Sequence, residues 1–208
     1  MMHCLLPNTI AKRLANSIVS QNNEFAGQTD EIRYGLEWII STINLYVLVC
    51  IIAIPFGMLV EALVFAVTSS TLRTISGGAH CKGYYPCLII STLQVVLSSF
   101  FIHYMFSYIV SLKIVFFALL IFSFITIVLL APVLYKKKDC FNAKQKQHLK
   151  IVSILLFLAF FIISITFFKD KHSMYSIWLA LIIQSSSLTQ TAKRILDAFS
   201  KPLTVIRR

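Results

Sequence analysis

Residues 114–135 read "IVFFALLIFSFITIVLLAPVLY", set between Lys113 and Lys136, with no charged side chain in the run. A helix of this length is near the ~20 residues needed to cross the hydrocarbon of a bilayer. It is apolar on every face, so a soluble core would have to enclose it completely. Working outward, further apolar runs stand at about 36–54, 56–72, 87–112, 151–168 and 174–191. The run at 56–72 is at the short limit for a span and admits a re-entrant reading. Ahead of all of them, Leu6, Ile10, Leu14 and Ile18 recur every four residues, with Lys12, Arg13, Ser17 and Gln21 on other faces. That is the pattern of an amphipathic helix, lying on a membrane surface or packed on its own protein. The sequence therefore predicts an all-α, polytopic integral membrane protein with about six transmembrane helices. A single domain covers 1–208, with the amphipathic segment inside 1–30. The composition, 58% hydrophobic and 13% charged with a mean hydropathy of +0.81, excludes an ordinary soluble domain.

The chain holds 19 Lys and Arg against 8 Asp and Glu. In a membrane protein such an excess marks cytoplasmic loops and attraction to anionic lipid, and no nucleic-acid partner is expected. With six spans and the N-terminus inside, 16 of the 19 basic residues fall on the cytoplasmic side, leaving Lys113, Lys169 and Lys171 outside. The loops around 73–86 and 136–150 and both termini are then cytoplasmic. The first residues lack the charged start, apolar run and cleavage site of a signal peptide, so no removed segment is expected. Cys4, Cys50, Cys81, Cys87 and Cys140 are odd in number and scattered, which argues for thiols rather than a disulfide framework. No internal repeat and no phosphate-cradling motif is found, and neither a cofactor nor a metal is expected.

The apolar pattern is interrupted at 73–91 by "RTISGGAHCKGYYPCLIIS". Pro86 suits the opening turn of the next helix and places Cys87 in that turn, where the helix dipole stabilises a thiolate. Lys82, Arg73 and a nearby His add to the effect. Gly77 and Gly78 permit backbone conformations that could bring N–H groups to an oxyanion. His80 and Cys87 are seven residues apart, close enough to meet as base and nucleophile if the loop folds back. Spacing alone also leaves open plain packing residues, or a metal group of His80, Cys81 and Cys87 that lacks a fourth ligand.

The stretch "LRTISGGAHCKGYYPC" resembles the signature of the accessory gene regulator B family, the membrane cysteine endopeptidases of bacterial peptide quorum sensing. In that signature an Arg, a Gly pair, a His and, seven residues later, a Cys recur. The resemblance extends upstream through "IAKRLANSIVSQ" and "RYGLEWIISTINLYVLV", and follows size and hydropathy along nearly the full chain. It implies that Cys87 is the nucleophile and His80 its base, with Arg73 and Gly78 at other family positions. Cys81 then stands where the family has a small residue. The resemblance also implies an autoinducer precursor as substrate, cleavage of its C-terminal part, thiolactone or lactone closure, a homodimer, and a place in the bacterial cell membrane. The chain departs from the pattern after Ala131-Pro132, where "VLYKKKD" carries no further proline.

Several polar residues remain inside or beside spans. Glu37 and Arg73 lie at the cytoplasmic ends of the first two spans and could pair across them, or Glu37 could simply meet water. Glu61 lies ~17 Å from the loop along an unbroken helix, too far for a part in its chemistry. His103 and Gln184 are candidates for helix-to-helix hydrogen bonds. Lys82 and Lys136, Lys137 and Lys138 could draw an acidic precursor tail, or anionic lipid instead. A transporter subunit or a non-catalytic scaffold is the competing class, and a pore would require a polar pathway shared among several helices.

Overall fold

A computed structural model of the 208-residue chain describes residues 7–21, 25, 27–79, 84–133, 142–168 and 170–205. Two compact units emerge, residues 1–48 and 49–208. Among the described residues every regular element is helical, as the apolar runs predict: α1 (Pro7–Gln21), α2 (Thr29–Ala53), α3 (Leu59–Ser76), α4 (Tyr84–Tyr104), α5 (Phe106–Ser111), α6 (Lys113–Leu130), α7 (Ala143–Thr166), α8 (Lys171–Ser186) and α9 (Gln190–Val205). Of these, α2, α3, α4, α6 and α7 are long and apolar enough to cross a membrane. The chain is an all-α, multi-pass membrane protein.

In the first unit, Pro7 opens α1, where its missing N–H costs no hydrogen bond. The buried residues of α1 are Pro7, Ala11 and Ala15, while Leu14 and Ile18 of the expected stripe stay exposed. Asp30 and Glu31 occupy the first turn of α2, complementing the helix dipole.

The second unit departs from the even row of spans in three places, each with a local cause. The run at 87–112 is divided, because α4 ends at Tyr104 and α5 resumes at Phe106. The helix expected from 151 begins at Ala143 instead: Asn142 and Gln145 form a reciprocal capping box, so Lys144, Lys146 and Lys150 ride on α7 itself. The last apolar run yields α8, only 16 residues. At 1.5 Å per residue that is about 24 Å, shorter than any of the five helices long and apolar enough to cross a membrane.

Short as it is, α8 packs against α3, α4, α6 and α7 and so lies at the centre of the unit. Tyr175, Ile177, Trp178 and Leu181 of α8 join Leu72, Ile102, Phe116, Leu120, Ile127 and Phe157 in one core. Tyr175 meets Phe116 and Trp178 edge-on, with centroids 5.5 and 5.2 Å apart. The Trp178 indole N–H donates to Ser164 Oγ of α7 at 2.9 Å. Asp170 caps α8, accepting from the His172 and Ser173 N–H groups and from the Ser173 hydroxyl. Burial raises the Asp170 pKa, yet these hydrogen bonds and the neighbouring His172 outweigh it and hold the carboxyl below its usual value.

Between helices the unit buries small polar residues and turns large apolar ones outward. Ser99, Ser153, Ser164, Ser176 and Ser185 are buried, whereas Ile114, Phe122, Leu129, Leu155 and Ile162 are exposed. Buried serines such as Ser99 and Ser153 satisfy themselves by donating to Val95 and Leu149 carbonyls one turn back, each at 2.8 Å. This inversion is what lipid selects: tails are as apolar as Leu, so helices associate through close backbone approach rather than by hiding hydrophobic bulk.

Candidate functional site around the α3–α4 connection

α3 ends where its chain can no longer stay helical. The Gly77 N–H closes the helix on the Arg73 carbonyl, and Gly77 then takes φ 75°, ψ −147°, a region open essentially to glycine alone. Gly78 follows at φ 133°. A Cβ built on Gly77 would overlap the Val133 carbonyl oxygen, and one on Gly78 would lie 2.7 Å from Ser187 Oγ. The glycine pair therefore serves close approach of chain to chain as well as the turn.

That approach is a short three-way junction. Gly77 bridges Val133 in parallel sense. Val133 N–H donates to Ser76 O at 3.0 Å, and Gly78 N–H to Val133 O at 3.3 Å. On the other side Ala79 N–H donates to Ser187 O at 3.1 Å, just past the end of α8. Gln184 of α8 donates its side-chain amide to Gly77 O at 2.9 Å, and Ser187 Oγ donates to Gln184 O at 2.7 Å. From within the turn, the Arg73 guanidinium donates to Ala79 O at 2.6 Å. The carbonyl immediately before His80 is thus held by a fixed cation.

These contacts revise part of the expectation. The N–H groups of Gly77 and Gly78 are already donated to the Arg73 and Val133 carbonyls, so they are not poised to receive an oxyanion. Their role is to let three backbone segments meet. Arg73 reaches into its own loop. Glu37 stands on α2 in the first unit, where Ser41 Oγ donates to its carbonyl at 2.6 Å. Gln184 makes the expected helix-to-helix hydrogen bond, donating to Ser76 Oγ of α3 at 3.5 Å, and the same side-chain amide also reaches the loop carbonyl of Gly77.

α4 begins at Tyr84, two residues ahead of the expected Pro86, and Cys87 is in its first turn. The Cys87 side chain is half-buried, outside any disulfide, and Pro86 beside it is buried. A helix N-terminus favours the charged form of a thiol placed there. His80, Cys81, Lys82, Lys136, Lys137 and Lys138 lie outside the described residues. Among the site residues named from sequence, the structure brings Arg73, Gly77 and Gly78 together. Sequence reasoning missed the supports, Ser76, Val133 and Ser187. Nothing but the Pro after Ala131 and the Ser run after Gln184 marks them in the sequence.

The sequence profile described as Accessory gene regulator B matches residues 11–188. A protein of Clostridium perfringens provisionally named AgrB-like is 31% identical over 214 residues, covering 93% of this chain and 98% of its own. A second such protein of the same species is 29% identical with the same coverage. One from Clostridium beijerinckii is 30% identical over 145 residues, 69% of each chain. No solved structure matches the chain.

Proposed function

Because the chain belongs to the accessory gene regulator B family, with a role in peptide quorum sensing alongside an AgrD-like propeptide, we propose that it is the cysteine endopeptidase that processes that propeptide. The observation that carries this reading is the position of Cys87, half-buried in the first turn of α4 and following a turn anchored by Arg73 and the glycine pair. Cys87 is the nucleophile and His80 its base. The thiolate adds to a peptide carbonyl, the C–N bond breaks, and His80 delivers the proton to the leaving amine. The C-terminal part of the precursor departs and a peptidyl thioester remains. A thiol within the peptide then attacks that thioester, closing a thiolactone and restoring Cys87. One thioester is exchanged for another, so the second step needs no nucleotide. Restricted water at the membrane surface favours ring closure over hydrolysis.

In this reading the loop and both termini face the cytoplasm, and Lys82 and Lys136 to Lys138 attract an acidic precursor tail. The test is cleavage of the cognate precursor co-expressed with variants, membrane levels being matched. Cys87→Ala and His80→Ala each reduce cleavage by orders of magnitude, and the double variant is little worse than the more damaging single one. Cys81→Ala retains most activity. Normal processing by Cys87→Ala, or complete loss in a well-expressed Cys81→Ala, moves the nucleophile or removes the chain from the enzyme class.

A further inference from the structure

At the end of the second unit opposite Cys87, three ionisable residues from three helices converge. Glu61 is on the first turn of α3, His103 in the last turn of α4 and His172 at the start of α8. Glu61 is only 7% exposed. His103 Nδ1 lies 2.8 Å from Glu61 Oε1, and His172 Nδ1 lies 3.7 Å from the same oxygen. The potential ligand atoms of the three residues all fall within 4.8 Å of one another. The sequence suggested only a helix-to-helix hydrogen bond for His103, which the Glu61 contact supplies, and it gave no warning of His172.

Hydrogen bonding alone leaves this cluster unfinished. At 3.7 Å His172 Nδ1 is beyond hydrogen-bond reach of Glu61, and the nitrogen is buried with no hydrogen-bond partner. The His172 ring is held in place, stacked on Phe106 with centroids 4.0 Å apart and planes 16° apart. A buried carboxylate and a buried ring nitrogen thus face one point, and an ionisable group at membrane depth needs a compensating charge. Two imidazoles and a carboxylate are the donor set of borderline first-row dications, whereas calcium and magnesium select oxygen. Bonds of about 2.0–2.2 Å in tetrahedral geometry put neighbouring ligand atoms about 3.3 Å apart. The observed separations bracket that edge, so the site closes by widening the Glu61–His103 contact and drawing His172 inward.

We propose that Glu61, His103 and His172 bind one transition-metal dication of the zinc type, tying together the ends of α3, α4 and α8 remote from Cys87. The two histidine side chains are each 31% exposed, so water can take the fourth position. Along α4 the site is about 24 Å from Cys87, at 1.5 Å per residue, so it is independent of the thiol chemistry.

The test uses the full-length chain purified in detergent, stripped with a chelator, and titrated with Co2+ and then Zn2+. One Co2+ per chain is expected, with ligand-field absorption but no thiolate charge-transfer band, displaced by Zn2+, which also raises the melting temperature. His172→Gln weakens binding more than about 10-fold and abolishes the thermal shift. Should that variant fail to elute as a folded protein, Glu61→Gln gives the same reading, since it keeps a hydrogen-bond acceptor for His103 and removes the anionic donor. Binding unchanged in either folded variant overturns the site. So does a thiolate band that disappears in Cys87→Ala, or no binding at all of Co2+ or Zn2+.

Discussion

Gly77 and Gly78 carry an unusual share of the junction for residues without side chains. Gly77 holds φ 75°, ψ −147°, and faces the Val133 carbonyl, so Gly77→Ala meets both backbone strain and a backbone overlap. Strain of that kind costs about 1–3 kcal/mol. The variant is expected to insert normally but to show faster amide exchange at Ala79 and a large loss of precursor cleavage. Wild-type exchange with Gly77→Ala would mean the junction does not depend on the glycine. Gln184→Leu acts from the other side, leaving the Gly77 carbonyl without its donor at a cost of about 1–3 kcal/mol. Gln184→Glu removes that donor too, and an amide-exchange comparison should group both variants together and apart from Gln184→Asn. The sequence made the glycines, Arg73, His80 and Cys87 visible because they occur in one short stretch. Val133 and Ser187 were invisible because they act through backbone atoms, which any residue supplies.

The helices were legible wherever burial in lipid dictates them, since an unbroken apolar run leaves the backbone no alternative to internal hydrogen bonding. Their ends were less so. α7 starts eight residues before its apolar run, at a capping box that overrides the basic character of Lys144, Lys146 and Lys150. α8 looked like one more lipid-facing span, but its buried positions include Ser173, Ser176, Ala180, Gln184 and Ser185, a row of small and polar residues suited to helix contact on several sides. The Asp170 cap fixes where this central helix begins. Asp170→Ala is expected to lower stability by about 1 kcal/mol, and Asp170→Asn much less, because Asn still accepts from the Ser173 N–H. Unfolding midpoints in detergent compare the two. Equal midpoints for Asp170→Ala and wild type would show that packing alone sets the α8 start.

For the whole molecule, charge predicts the orientation. In the six-span reading sixteen of the nineteen basic residues lie on one side, which predicts that this side is cytoplasmic. A cysteine introduced at Lys144 should resist a membrane-impermeant thiol reagent in intact cells and react once they are opened. Prompt labelling of intact cells would reverse the orientation and put Cys87 on the outer face.

The hydrogen bond from Ala79 N–H to Ser187 O makes the turn after α3 hostage to a residue more than a hundred positions downstream. Chain synthesis is therefore a timing constraint: Arg73, Gly77 and Cys87 leave the ribosome long before the segment that locks them exists. Until Gln184 and Ser187 are inserted, the turn is shaped, among the described residues, by Arg73 and Val133. A truncated product ending after Ile183 would carry every residue of the proposed chemistry and lack the clasp that positions it, whereas one ending after Thr189 would retain both. The family profile ends at residue 188, one residue past Ser187 and so just behind this last stitch.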